Sequence, residues 1–224
     1  AEGHRPVFDA LPVQFADYSL WQHRELGDPS DVDSVVGRQL AYWETALEGL
    51  PELVELPTDR SRPAIASHVG AVASGEIPAE LGGRIDELAR SRGVTSFMVV
   101  HAALAVLIAR MSATDDIAVA TPIAGRGQRV LDPMIGMFVN TLVLRSEVKP
   151  AMSFDNLLMQ VRDTYLEAFA HADVPFESLV ERLNPVRSQA FTPLTQVMLT
   201  MGARPDDDGL TGSIGGLTVA AVDA

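Results

Sequence analysis

The chain has no cysteine among its 224 residues, which removes disulfides, thiolate metal sites and cysteine nucleophiles together. Positive charge is scarce as well. Seventeen Lys and Arg against 30 Asp and Glu leave a formal charge of -13, a field that repels nucleic acid and anionic membranes. The five histidines (His4, His23, His68, His101 and His171) are scattered, with no spacing that suggests a metal pair. The most hydrophobic stretch, Phe97 to Met111, contains His101 and Arg110 and falls short of the ~20 residues a membrane span needs. No basic start followed by an apolar core marks a signal peptide, so a cytoplasmic protein is expected. Internal repeats and low-complexity tracts are absent too.

What is present is ample apolar content, 47%, arranged in alternating helix and strand patterns. Ala16 to Leu26 reads as a short helix with Tyr18, Trp21 and Leu26 on one face. A second helix is expected over 31–47, capped by Ser30, with Val32, Val35, Val36, Leu40, Trp43 and Leu47 at spacings of three and four. Val69 to Ile77 reads as a strand, Pro78 opens a helix to Arg92 with Gly93 as its stop, and Thr95 caps an apolar helix over 96–112. Ile117 to Pro122 reads as a buried strand. Ser153 caps a helix to His171, Pro175 starts a shorter one, and 194–200 and 217–222 complete the strands. Asp206 to Gly209, DDDG, reads as a turn. Alternation of this kind belongs to the α/β class.

One stretch, Ile135 to Arg145 (IGMFVNTLVLR), stands apart. An apolar run of this length reads as a buried strand, broken only by Asn140 and Thr141. A buried side-chain amide left unpaired costs roughly 1–3 kcal/mol, so Asn140 needs a partner or a purpose. Both readings stand at this point: an amide that fixes the strand in place, or one that contacts a substrate.

The same stretch closely resembles the fifth core motif of the condensation domains of nonribosomal peptide synthetases. Other matches follow in order. FADYSLWQ (15–22) is similar to the fourth motif, and LAYWETALEGLPELVELPTDRSRP (40–63) to the connection into the second lobe. DDIAVATPIAGR (115–126) resembles the strand and loop before the fifth motif. HADVPFESLVERLNPVRS (171–188) resembles the sixth motif and TPLTQVMLT (192–200) the seventh, with Thr195 and Leu199 where the family usually carries aromatics. The wording is closest to the subtype that accepts a D-configured donor. The family's catalytic HHxxxDG motif is missing: no histidine pair exists, and four residues beyond the five histidines stand Phe8, Gly27, Val72, Ala105 and Pro175.

The resemblance implies a chloramphenicol-acetyltransferase-like α/β fold of two lobes, of which this chain is mostly the C-terminal lobe, a mixed sheet flanked by helices. Residues 1–63 are expected to form the inter-lobe linker and fourth-motif helices, and 64–224 the lobe, cut short at its C-terminal end. It implies amide-bond formation between thioesters on carrier proteins, whose phosphopantetheine arm is the only cofactor involved. The chain alone is expected to be inactive. Implied partners are those carrier proteins, the missing N-terminal lobe and neighbouring synthetase domains, with self-association through the exposed lobe face. The alternatives are a non-catalytic docking module for a carrier protein or complementary lobe, or an epimerisation-type relative. Along the substrate tunnel the resemblance places Asn140, Trp21, Tyr18 and Arg126. It makes His171, with Pro175 and Phe176, structural at a turn between helices. His101 reads as a satisfied core histidine, and Asp115-Asp116 as solvated turn charges rather than metal ligands. The AGRGQR loop (124–129) has its glycines in the wrong places for a phosphate cradle.

Overall fold

The computed structural model describes residues 10–202, together with the backbone of two short strands at 212–214 and 217–219. Six helices appear among them: α1 (Phe15–Leu26), α2 (Val35–Ala46), α3 (Ala79–Arg92), α4 (Ser96–Ser112), α5 (Phe154–Ala170) and α6 (Phe176–Leu183). The central strands are β1 (Asp116–Ile123) and β2 (Asn140–Glu147), antiparallel with Asp116 opposite Glu147 and Ile123 opposite Asn140. A third run joins on the far side of β1 through a parallel bridge between Ala120 and Met198, which makes the sheet mixed. The strands β3 (Gly212–Ile214) and β4 (Leu217–Val219) form a separate antiparallel hairpin. The DDDG run, His4 and residues 220–222 lie outside the described residues.

Pairing across the sheet sorts the two faces. Ile117 and Val119 of β1 pack with Ala105 and Ile108 of α4, and the β2 residues opposite them, Ser146 and Leu144, share that side. Val36, Leu40 and Trp43 of α2, with Leu47 just past its end, join Val143, Leu158 and Val161 in the larger core cluster. Residues on both sides of position 63 share this cluster, to which α2 contributes Val36, Leu40 and Trp43. Arg145 binds α2 to the sheet. Its guanidinium grips Asp116 through two bonds of 2.8 and 2.7 Å and donates to the carbonyls of Ala46 and Glu48, which end the helix.

Helix ends follow local chemistry. Thr95 and Ser153 accept from the backbone N–H three residues on, at 3.2 Å each, Gly93 takes the left-handed stop, and Pro78 and Pro175 open α3 and α6. Three expectations need correction. The second helix starts at Val35 and is capped by Ser34, whose hydroxyl accepts from Gly37 N–H at 2.9 Å, because Asp28, Ser30 and Asp31 close turns of their own instead. Val69 to Ile77 forms no strand and joins no ladder among the described residues. And 135–139 is not strand: the ladder begins at Asn140, and Ile135, Met137 and Val139 are exposed while Met134 and Phe138 are buried. The buried residues there are four apart, and Phe138 packs against Phe15 and Tyr18 of α1 rather than extending the β2 ladder. The 194–200 run is likewise tied to the sheet only around Ala120. The buried Thr195 hydroxyl fastens it by donating to the Ala118 carbonyl at 2.9 Å, where an aromatic would only fill space.

Candidate functional site

The amide of Asn140 is fully employed. Its Nδ2 donates to the carbonyls of Ala172 (3.0 Å) and Val174 (2.7 Å), and its Oδ1 accepts from the backbone N–H of Thr141 (2.8 Å) and Phe176 (3.0 Å). A side-chain amide offers two donors and an acceptor with two lone pairs, and all four capacities are filled. The effect is to clamp the 171–176 turn, HADVPF, against the start of β2.

Two residues of α2 hold the same turn from the other side. Trp43 Nε1 donates to the His171 carbonyl at 2.8 Å, and Gln39 exchanges two bonds with Asp173, side chain to side chain at 2.8 Å and backbone N–H to Oε1 at 3.1 Å. The His171 ring stacks on Tyr42, with centroids 3.9 Å apart and planes 10° apart. Its Nδ1 donates to the Glu167 carbonyl at 2.7 Å, which fixes the tautomer, since a carbonyl can only accept. His171 is thus built into the turn, as are Pro175 at the head of α6 and Phe176, whose N–H is held by Asn140.

Tyr18, Trp21 and Arg126 meet around Phe138. Tyr18 lies 5.0 Å from the Phe138 ring and 5.9 Å from Trp21, Phe15 meets Phe138 edge-on at 5.2 Å, and the Arg126 guanidinium sits 4.1 Å over the Phe138 face. Arg126 also donates to the Leu131 carbonyl. Two glycines make this approach possible. A Cβ at Gly136 would collide with the Phe15 ring, and one at Gly125, whose φ is +25°, with the Phe138 carbonyl. Trp21 is 45% exposed and, with Tyr18, Val13 and Val130, lines an open groove of ≈ 320 Å³. Burial, and then the nearby Asp173 carboxylate, raise the Tyr18 phenol above its ordinary value. That raised phenol is common ground between the aromatic cluster and the clamped turn.

Phe138 and Phe15, which join the cluster together, were not singled out in the sequence, although both stand inside the motifs quoted. Gln39 and Trp43 carried no signal for their roles, being 134 and 128 residues from their partners. His101 is fully buried, edge-on to Phe97 and Tyr165, yet neither ring nitrogen has a partner among the described residues. It is a core histidine but not a satisfied one, and burial pulls its pKa down to about 4. No group of three His, Cys, Asp or Glu able to hold a metal ion occurs among the described residues. Among the described residues no single helix is long and apolar enough to cross a membrane.

The model of the condensation-domain family matches residues 2–211. The chain belongs to that family. It is 53% identical over 204 residues to the probable non-canonical nonribosomal peptide synthetase CymA of Salinispora arenicola, covering 91% of this chain and 3% of that protein. With the isonitrile lipopeptide synthase of Mycobacterium tuberculosis it shares 48% over 203 residues, 91% of this chain and 8% of that one. Among solved structures it superposes on the X-domain from teicoplanin biosynthesis with a TM-score of 0.81 at 32% identity, covering 88% of this chain and 44% of that one. The chain thus spans a small part of the synthetases it matches and under half of that single domain. The family carries the chloramphenicol-acetyltransferase-like fold expected from the motifs.

Proposed function

We propose that this chain is the second lobe of a condensation domain that forms an amide bond inside a cytoplasmic nonribosomal peptide synthetase. The observation that carries the reading is one of extent: the family model spans nearly the whole chain, while the chain spans 44% of a solved X-domain. In the reaction, the amine of an acceptor residue attacks the thioester carbonyl of a donor residue. The C–N bond forms, the C–S bond breaks, and the donor's phosphopantetheine thiol leaves on its carrier protein. The attacking nitrogen must lose a proton.

None of the residues of the site is suited to take that proton. Tyr18, with its pKa raised, stays protonated and serves as a hydrogen-bond donor. Arg126 is a permanent cation, and His171 is committed to the turn. The lobe instead supplies walls and posture. Tyr18, Trp21 and the Arg126–Phe138 stack form the tunnel side, and Asn140 acts at second hand, holding the turn that carries Asp173 toward Tyr18. The exposed Ile135, Met137 and Val139, next to this cluster, fit the apolar surface of the complementary lobe that brings the HHxxxDG histidines. Alone, the chain is inactive.

The test uses donor and acceptor aminoacyl thioesters on their carrier proteins, with the acceptor-bound product read by mass spectrometry. A longer polypeptide carrying the HHxxxDG segment should give the dipeptide, and this chain alone should give none. Turnover by the chain alone would overturn the reading. Inversion of the donor without amide formation would replace it with an epimerisation role.

A further inference from the structure

Asp173 is exposed, yet its position is dictated from the core. Every residue from His171 to Val174 is held by a side chain from another element: the His171 carbonyl by Trp43, those of Ala172 and Val174 by Asn140, and Asp173 by Gln39. Gln39 is only 7% exposed, and both ends of its amide go to Asp173. Its Nε2 donates to the carboxylate Oδ2 at 2.8 Å, and its Oε1 accepts from the backbone N–H at 3.1 Å. Burying an amide is costly unless its bonds are made, and an exposed turn can satisfy its polar groups with water instead. A buried amide devoted to one exposed acid fixes where that carboxylate stands.

The other carboxylate oxygen, Oδ1, has no hydrogen-bond partner and Asp173 has no ion pair among the described residues. Arg126, the cation of the aromatic cluster, is engaged with the Phe138 face and the Leu131 carbonyl. Tyr18 links the acid to that cluster: it packs on Phe138 and Trp21, and its phenol feels the Asp173 charge. A negative charge aimed from the core, beside the tunnel wall and without a counter-charge, suits a cationic ligand.

We propose that Asp173 binds the α-ammonium group of the acceptor aminoacyl unit, with Gln39 as its positioning residue. The inference rests on the amide-forming reading. In that reaction the donor reacts at its carbonyl and the acceptor at its nitrogen, so a carboxylate beside the wall favours the acceptor's cationic end. Asp173 exchanges no proton. The ammonium gives one proton to the base on the complementary lobe before attack, and the proton lost as the C–N bond forms leaves with the thiol.

The test uses the longer polypeptide with its HHxxxDG segment and two carrier-tethered acceptors. One is an aminoacyl unit, the other its α-hydroxyacyl analogue, whose hydroxyl forms an ester and carries no charge. Asp173→Asn keeps the bond from Gln39, since an amide oxygen also accepts, so the urea midpoint of this chain should not move. The acceptor concentration for half-maximal rate should rise about tenfold or more with the aminoacyl unit, as expected for loss of a bond to a charged group. With the hydroxyacyl unit it should stay within about twofold. Gln39→Met, which frees the carboxylate, should raise it for the aminoacyl unit alone and by less. Unchanged aminoacyl kinetics in Asp173→Asn, while the unmodified polypeptide forms the amide, would overturn this inference and leave the amide-forming reading standing. An equal loss with both acceptors would overturn it too, and would assign the carboxylate to holding the lobes together. No amide from the unmodified polypeptide would overturn that reading and this inference with it.

Discussion

Replacing Asn140 with alanine removes all four bonds of its amide, and the consequence can be worked from the partners left behind. The Thr141 N–H is adjacent in sequence and at the strand end, where water replaces the lost acceptor. The other three groups, the carbonyls of Ala172 and Val174 and the N–H of Phe176, lie 32 to 36 residues away and define the turn. At ~1 kcal/mol net per bond, with some recovery by water at a half-buried site, the loss is about 2–3 kcal/mol. With a urea m-value on the order of 2–3 kcal/mol/M, the midpoint falls by about 1 M. Trp43 fluorescence follows it well, since that indole donates to the same turn. Asn140→Asp should be no better at neutral pH, because it turns a carboxylate oxygen on two carbonyls that had received N–H groups. A midpoint shift below roughly 0.3 M for Asn140→Ala, no more than about one net hydrogen bond, would refute the claim that this amide holds the turn.

Other outcomes follow from the same geometry. His101 is neutral when buried, with a pKa of about 4 against 6.5 in the unfolded chain, so the unfolded state binds the extra proton first. Stability should therefore fall as pH drops from 6.5 toward 4, by up to about 3 kcal/mol, and be insensitive to this group above 6.5. His101→Phe should flatten that part of a stability-versus-pH profile measured in urea. Ser34→Ala should cost about 1 kcal/mol as loss of the true N-cap, while Ser30→Ala should cost under roughly half of that, both read by thermal unfolding. Arg145→Met should cost about 2 kcal/mol in urea titrations, because it leaves the Asp116 carboxylate and two helix-end carbonyls without their donor.

The parts of the fold legible in the sequence are those decided locally. Pro78, Gly93, Thr95, Ser153 and Pro175 mark helix ends because the chemistry that ends a helix lies within four residues of them. The misreadings arose where a local pattern had two uses. Ser30 and Ser34 are both good caps, and Asp28 decided between them by engaging Ser30. The apolar run at 135–139 reads as strand, but its buried Phe138 packs on α1 rather than in a ladder, which apolar content alone cannot announce. In the site, Asn140 was conspicuous as an amide in an apolar run. What it holds was invisible, because the turn lies more than thirty residues on. The Tyr18–Trp21 pair and Arg126 could be named from motifs, whereas their meeting over Phe138 depends on two glycines that let helix and loop close.

The central claim is that this lobe shapes the acceptor tunnel without supplying the base. The most direct measurement is single-turnover amide formation by the longer polypeptide, HHxxxDG segment intact, with carrier-tethered substrates and either Trp21→Ala or Arg126→Ala in this lobe. The account predicts at least a tenfold slower chemical step for each, with the pH profile of the step unmoved, because neither residue handles the proton. Full rates in both variants would contradict it, as would a shifted pH profile.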